Sequence, residues 1–362
     1  MNYILSFEDC RQGDLARVGG KCASLGTLLQ AGLLVPPGFA VTTDAYETML
    51  AANDLFGTIR KNLDAVDPRD VEALEGCSAS IRGLIETRPI PPGVEQAIRT
   101  AYLDLCVATG TDELPVAVRS SATAEDLPGA SFAGQQDTYL WIVGAEAVLT
   151  HVRRCWASLY TSRAIAYRHD QGFDGEAVLM SVAVQKMVRA RSAGVAMTLN
   201  PVNGDRSKIV IDSSFGLGET VVGGLVTPDN FVVDKVMLEV VRRTISPKHV
   251  ELVADLHERR AIERQIEPER QLEASLTLDE VKAVAGLAKA VERHHGCPQD
   301  IEWALDADAV DTEPIVLLQS RPETVWSQAS AEPTVRSEYE TGITSVLSTL
   351  MNPLAAKKRS EA

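Results

Sequence analysis

Two short runs late in the chain set acidic, amide and guanidinium side chains at two-residue intervals. In Asp300-Ile-Glu-Trp-Ala-Leu305, strand alternation puts Asp300 and Glu302 on one face and Ile301, Trp303 and Leu305 on the other. In Ile315-Val-Leu-Leu-Gln-Ser-Arg321, Gln319 and Arg321 share a face. The connection Asp306–Pro314 is long enough for the two strands to pair as a hairpin. Two carboxylates, an amide oxygen and a guanidinium would then meet on one surface. Such hard oxygen donors suit magnesium, which completes its shell with substrate phosphate, and an arginine can grip phosphate oxygens through two parallel N–H bonds. An exposed hairpin face with a structural ion pair would show the same pattern.

Other segments carry weaker signals. Val18-Gly19-Gly20-Lys21 is a glycine turn opening a helix, where an anion is favoured and a lysine can reach it; a plain helix start reads the same way. Arg119 ends the strand Leu114–Arg119, as a phosphate ligand or as an ion-pair partner at the core edge. Ser131-Phe-Ala-Gly134-Gln-Gln-Asp-Thr138 mixes small residues with hydrogen-bond donors, suiting either a phosphate cover or a surface turn. The strand around Val184-Gln185-Lys186-Met187 can offer backbone groups to a planar base, or serve only as a buried strand.

These groups need a scaffold of helices and strands. A strand over Asn2–Phe7 precedes a helix from about Lys21 to Gln30, stopped by Gly32 with Pro36-Pro37 beyond it. Residues 45–110 read as amphipathic helix broken at Pro89–Pro92, Ser120–Gly134 as a loop, and 146–170 as one helix with Val148, Val152, Trp156 and Leu159 inward. Strands follow at Val178–Val188, Ala193–Thr198 and Lys208–Asp212, then the turn Phe215-Gly-Leu-Gly-Glu219. The charge-rich stretch 247–275 reads as a solvated helix or loop. Thr277-Leu-Asp-Glu280 is a capping box for a helix ending at Gly296. The fold class is α+β, with expected divisions at 1–176, 177–325 and 326–362.

The chain has 362 residues, 45% hydrophobic and 23% charged, enough for a substantial core. Its net charge of −15 repels nucleic-acid phosphates at long range, so no nucleic-acid partner is expected. Six scattered cysteines without metal-ligand spacing read as thiols of a reducing, cytoplasmic setting. No apolar run approaches the roughly 18 residues of a bilayer span, so no membrane is expected.

Taken in order, Val18-Gly-Gly-Lys21, Pro36-Pro-Gly-Phe39, Val118-Arg-Ser-Ser-Ala-Thr123-Ala-Glu-Asp126, Ser131-Phe-Ala-Gly134, Gly216-Leu-Gly-Glu219, Pro228-Asp229, Asp300-Ile-Glu-Trp303 and Gln319-Ser-Arg-Pro322 resemble the N-terminal nucleotide-binding domain of phosphoenolpyruvate synthase and pyruvate phosphate dikinase. The resemblance implies an ATP-grasp-like bilobed fold clasping ATP. It assigns Lys21 and Arg119 to the phosphates, Gly134 and Thr138 to the loop above them, and Gln185 to the adenine. It assigns Glu302 and Gln319, with Asp300 near, to magnesium (or manganese), and Arg321 to the transferring group. Glu219 falls near ribose or metal.

Members of that family carry an acceptor histidine in a Gly-Gly-x-x-Ser-His-type loop. None of His151, His169, His249, His257, His294 and His295 lies in such a loop. A split dikinase-type phosphotransferase is therefore expected, with the histidine on a partner subunit. That layout resembles the ATP-binding subunit of phenylphosphate synthase, which implies phenol as acceptor in phenol degradation. The tail around Gly342–Ala356 is a candidate docking helix or a loosely packed one. A phosphoenolpyruvate synthase, a rifampicin phosphotransferase-like enzyme and a non-catalytic nucleotide sensor are the competing readings.

Overall fold

Alternating apolar residues build two antiparallel sheets that share one helix. The computed structural model describes residues 2–123, 126–127, 130–131, 137–170, 178–255, 257–308 and 315–328. Met1–Thr324 form one compact unit, and Val325–Ala362 a second in which the short helix Val325–Gln328 is described.

The first sheet has five strands in the order Ile4–Ser6, Gly38–Val41, Met180–Lys186, Val116–Ala122 and Thr138–Ile142. Its period of two is visible in the packing. Phe39, Val41, Val182 and Val184 face a core closed by the helices Thr43–Ala52, Val71–Thr87, Pro92–Thr109 and Ala145–Ala157. Ala40 and Ala183 face the opposite way, toward the helix Leu15–Gln30. The helix packs against the sheet on that side.

The second sheet has six strands: Val240–Thr244, Asp229–Asp234, Lys208–Phe215, Ala190–Met197, Gln299–Asp306 and Ile315–Pro322. Ile301, Trp303 and Leu305 are fully buried against the helices Leu15–Gln30 and Leu278–His295, as alternation requires. Burying each such side chain contributes roughly 1.5–3 kcal/mol. The second helix starts on the Thr277–Glu280 capping box and ends at Gly296 in the left-handed conformation.

Leu15–Gln30 is pinned to both sheets. Its regular turn breaks at Gly19, whose φ is 70°, and a Cβ there would collide with the Ser121 carbonyl. The Ser121 hydroxyl donates to the Val18 carbonyl at 2.8 Å and accepts from the Cys22 N–H at 3.3 Å. Ser24 Oγ donates to the Ser320 carbonyl at 3.2 Å.

Several expectations need correction. The stretch 247–275 is largely a β-hairpin, Val250–Asp255 with Arg260–Gln265, rather than a solvated helix or loop. Its charges are not all solvated: Glu251 is buried and accepts from Arg264 at 2.8 Å and Arg270 at 3.0 Å. Met180–Lys186 lies beyond residue 177 yet runs through the middle of the first sheet, because it pairs with Gly38–Val41 and Val116–Ala122. Ser120–Ala122 continue a strand rather than opening a loop. The span 146–170 is divided by a 3-10 turn at Ser158–Tyr160, with a separate helix Ser162–Asp170 beyond. The strands Asp229–Asp234 and Val240–Thr244 were not foreseen. Residues 342–356 lie outside the described residues.

Pro228-Asp229 has a structural explanation. The Asp229 carboxylate accepts from Lys248 Nζ at 2.6 Å, the Ser246 N–H at 3.1 Å, and the Ser275 N–H and hydroxyl at 2.8 Å each. Both charged side chains are completely buried. Removing one partner of such a pair strands the other charge. Asp229→Ala should therefore lose about 3–5 kcal/mol of stability in urea unfolding, and a loss under about 1 kcal/mol would show that the pair is solvated in solution.

Candidate functional site

A cleft of about 740 Å³ opens beside the faces of the two sheets that carry the polar residues. Strand alternation delivers them. The pairing of Gln299–Asp306 with Ile315–Pro322 sets Glu302 opposite Gln319 and Asp300 opposite Arg321. With Ile301 and Trp303 committed to the core, Asp300 and Glu302 are turned outward to the cleft.

Arg119 enters from the first sheet. Its Nη2 donates to Glu302 Oε2 and to Gln319 Oε1, each at 2.6 Å, while Nη1 donates to the Leu318 carbonyl at 3.1 Å. Arg119 is nine-tenths buried, and its Nε finds no acceptor among the described residues. Arg321 is more open, at 42% side-chain exposure, and lies 3.5 Å from Asp300. Burial pushes the Asp300 carboxyl up, and Arg321 pulls it part of the way back.

Lys21 lines the same cleft, placed there by the break at Gly19. Thr138 lies on the cleft wall opposite Arg119 in the strand register. Gln185 lines the cleft from the second-last position of its strand, and its amide donates to the Pro36 carbonyl at 3.3 Å. Glu219 opens a one-turn helix after the turn at Gly216, a residue held at φ +73° against the Leu252 carbonyl. Burial, reinforced by the neighbouring Glu302 carboxylate, pushes the Glu219 carboxyl up, and Arg119 opposes that rise. Gly134 lies outside the described residues.

The candidates Lys21, Arg119, Thr138, Gln185, Glu219, Asp300, Glu302, Gln319 and Arg321 thus line one cleft, although they span 300 positions of sequence. Sequence reading missed its other walls. Leu140, Met187, Leu217 and Leu318 supply apolar surface, and Lys186 and Asp137 add charge. Leu217 falls inside the Gly216-Leu-Gly-Glu219 run, but no motif marks Leu140 or Leu318, and only the fold brings the three together. Lys186, the last residue of its strand, lines the cleft with its neighbour Gln185.

The donor set fits a hard divalent cation. Glu302 and Gln319 each place an oxygen within one hydrogen-bond length of a single nitrogen. Magnesium–oxygen distances of about 2.1 Å would require shifts of only about 0.5 Å from that spacing. Among the described residues no three His, Cys, Asp or Glu side chains converge. The remaining positions of an octahedral shell would therefore fall to phosphate oxygens and water.

An apolar slot beside converging cations and oxygen donors is chemically suited to phosphate and a planar base. Comparison with known proteins agrees. Residues 15–341 match the family of the pyruvate phosphate dikinase AMP/ATP-binding domain, and the chain belongs to that family. It is 44% identical over 346 residues to a probable phosphoenolpyruvate synthase of Staphylothermus marinus, covering 90% of this chain and 42% of that protein. A phosphoenolpyruvate synthase of Aeropyrum pernix is 43% identical over 364 residues, covering 94% and 44%. A Streptomyces rifampicin phosphotransferase is 44% identical over 324 residues, covering 88% and 36%. The chain therefore spans less than half the length of these relatives.

The Glu219 shift has a pH signature. A carboxyl pushed up by folding holds its proton more tightly in the folded chain. Its favourable contribution is complete below the ordinary carboxylate range and is lost as pH rises through the folded value. Glu219→Gln should raise the melting temperature at neutral pH and leave it unchanged in acid. A pH series of thermal melts checks this, and an equal shift at both ends would contradict it.

Proposed function

We propose that the cleft binds ATP with magnesium, or manganese in its place, and readies the polyphosphate for transfer to a histidine carried by a partner subunit. The observation that carries this reading is the meeting of Arg119 with Glu302 and Gln319 at 2.6 Å, with Lys21 and Arg321 lining the same cleft. An ATP-grasp-like clasp, one sheet on each side of the nucleotide, is the arrangement that suits these positions.

In this reading each residue has a physical task. Leu140, Met187, Leu217 and Leu318 take the base out of water, while Gln185 and the strand end after it meet its polar edge. Lys21, Arg119 and Arg321 hold phosphate oxygens and draw off charge that develops during transfer. Thr138 caps the phosphates. Glu302 and Gln319 hold the cation, with Asp300 close by and Glu219 toward the ribose or metal. When bound, the cation neutralises the polyphosphate and fixes its geometry. Phosphoryl transfer is mainly a matter of positioning and charge, so no covalent residue of this chain is required.

None of the six histidines lines the cleft, so the phosphoryl acceptor must approach from outside it. We assign that role to a partner's histidine, with an AMP- and phosphate-forming reaction and phenol as final acceptor, as in phenylphosphate synthase. The names of the relatives favour a second reading. There the cleft serves a phosphoenolpyruvate synthase or a rifampicin phosphotransferase-like reaction, with a different acceptor but the same ATP chemistry. A purely sensing role gives no reason for the transfer-side Arg321 to line the cleft beside the metal ligands.

Arg321→Ala tests the assignment, because the side chain is half exposed and its loss should cost less than about 0.5 kcal/mol in stability. ATP-dependent AMP formation, assayed with the histidine-bearing partner, should fall about 100-fold or more while the melting temperature stays put. Undiminished AMP formation would remove Arg321 from the transfer step.

A further inference from the structure

One guanidinium nitrogen stands where a divalent cation would bridge two ligands. Arg119 Nη2 donates to Glu302 Oε2 and to Gln319 Oε1 at the same 2.6 Å, the two oxygens best suited to the metal. A cation and this nitrogen cannot both occupy that point. The arrangement also leaves Arg119 incompletely satisfied: Nε is buried and has no acceptor among the described residues. An arginine with a spare buried donor, lining a phosphate-type cleft, has an unmet demand for one more anionic oxygen. Nη1 stays tethered to the Leu318 carbonyl, so the guanidinium can pivot about that bond while its other edge turns to a new acceptor.

We propose that Arg119 is a built-in stand-in for the divalent cation. It holds Glu302 and Gln319 together while the cleft lacks nucleotide, and it releases them only when a triphosphate arrives to take the guanidinium. This rests on the proposed ATP-binding role of the cleft. The cation by itself must displace an ion pair that is largely shielded from water. Nucleotide and cation together meet no such opposition, because the phosphates give Arg119 a replacement partner. The two ligands therefore bind synergistically, and the metal position does not fill with free divalent cations ahead of the nucleotide.

The test is Mn2+ binding to the full chain, followed by electron paramagnetic resonance, with and without a saturating non-hydrolysable ATP analogue. Wild type should bind Mn2+ alone at least about tenfold more weakly than with the analogue, as expected for displacing a close, poorly screened charge. Arg119→Met, which keeps the bulk and removes the charge, should bind Mn2+ alone at least about tenfold more tightly than wild type and lose the synergy. Arg119→Gln, a smaller neutral donor, gives the same readout if the methionine variant does not fold. Equal Mn2+ affinity of wild type and the neutral variants, with the analogue still promoting Mn2+ binding in wild type, overturns the stand-in role and leaves the ATP site intact. Failure of wild type to bind Mn2+ even with the analogue overturns both.

Discussion

Three hydrogen bonds from Arg119 join the two sheets of this chain at the point where its chemistry would occur. Their acceptors, Glu302, Leu318 and Gln319, lie about 200 residues away in sequence. Closing so long a loop is entropically costly, and three polar contacts of net 0.5–3 kcal/mol each would not hold it alone. The apolar packing of the helix Leu15–Gln30 against both sheets holds the strands together. Arg119 adds charged hydrogen bonds across the join. Stability comes mainly from the core, whereas the geometry of the site depends on a few charged hydrogen bonds in its partly dry wall.

The helix Leu15–Gln30 links packing to chemistry. Leu25 and Leu28 are buried in the shared core, while Lys21 lines the cleft. One helix can do both because Gly19 breaks its first turn. Only glycine tolerates that conformation so near the Ser121 carbonyl. The residues that anchor the break and the helix, Ser121 and Ser320, are near neighbours in sequence of Arg119 and Gln319. A shift of this helix would therefore disturb three candidate ligands together.

Charge is distributed unevenly. A chain of net charge −15 gathers Lys21, Arg119, Lys186 and Arg321 around one cleft. Interleaved carboxylates keep those cations from repelling one another in the absence of an anion. Elsewhere, buried charge serves the fold. Lys248 with Asp229, and Glu251 with Arg264 and Arg270, anchor the segments beyond the second sheet. The Arg270 guanidinium also lies 4.0 Å above the Phe215 ring, next to the glycine turn that leads to Glu219.

Local physics made much of this legible. Alternation in Asp300–Leu305 determined which side chains enter the core and which are left to act, because a strand's period of two leaves no choice once Ile301 and Trp303 are buried. In Ile315–Arg321 a register irregularity beside Leu318 interrupts that period, so Leu317 enters the core while Leu318 and Gln319 both line the cleft. The capping box at Thr277–Glu280 could be read from a few residues, since it is satisfied by its own neighbours; the glycine turn before Lys21 is visible in the sequence too, although the distant Ser121 anchors it. Non-local pairing was not legible. Met180–Lys186 joins the first sheet through strands distant in sequence, and residues 250–265 form a hairpin despite their charge, with Arg264 and Arg270 compensating the buried Glu251. The apolar slot of Leu140, Met187, Leu217 and Leu318 has no sequence signature, and neither does the choice of Arg119 as partner to Glu302 and Gln319. Residue types and their periodicity determine what each segment can offer. Which offers meet is decided only when two sheets close over a common helix, since contact across hundreds of residues is a property of the packed core.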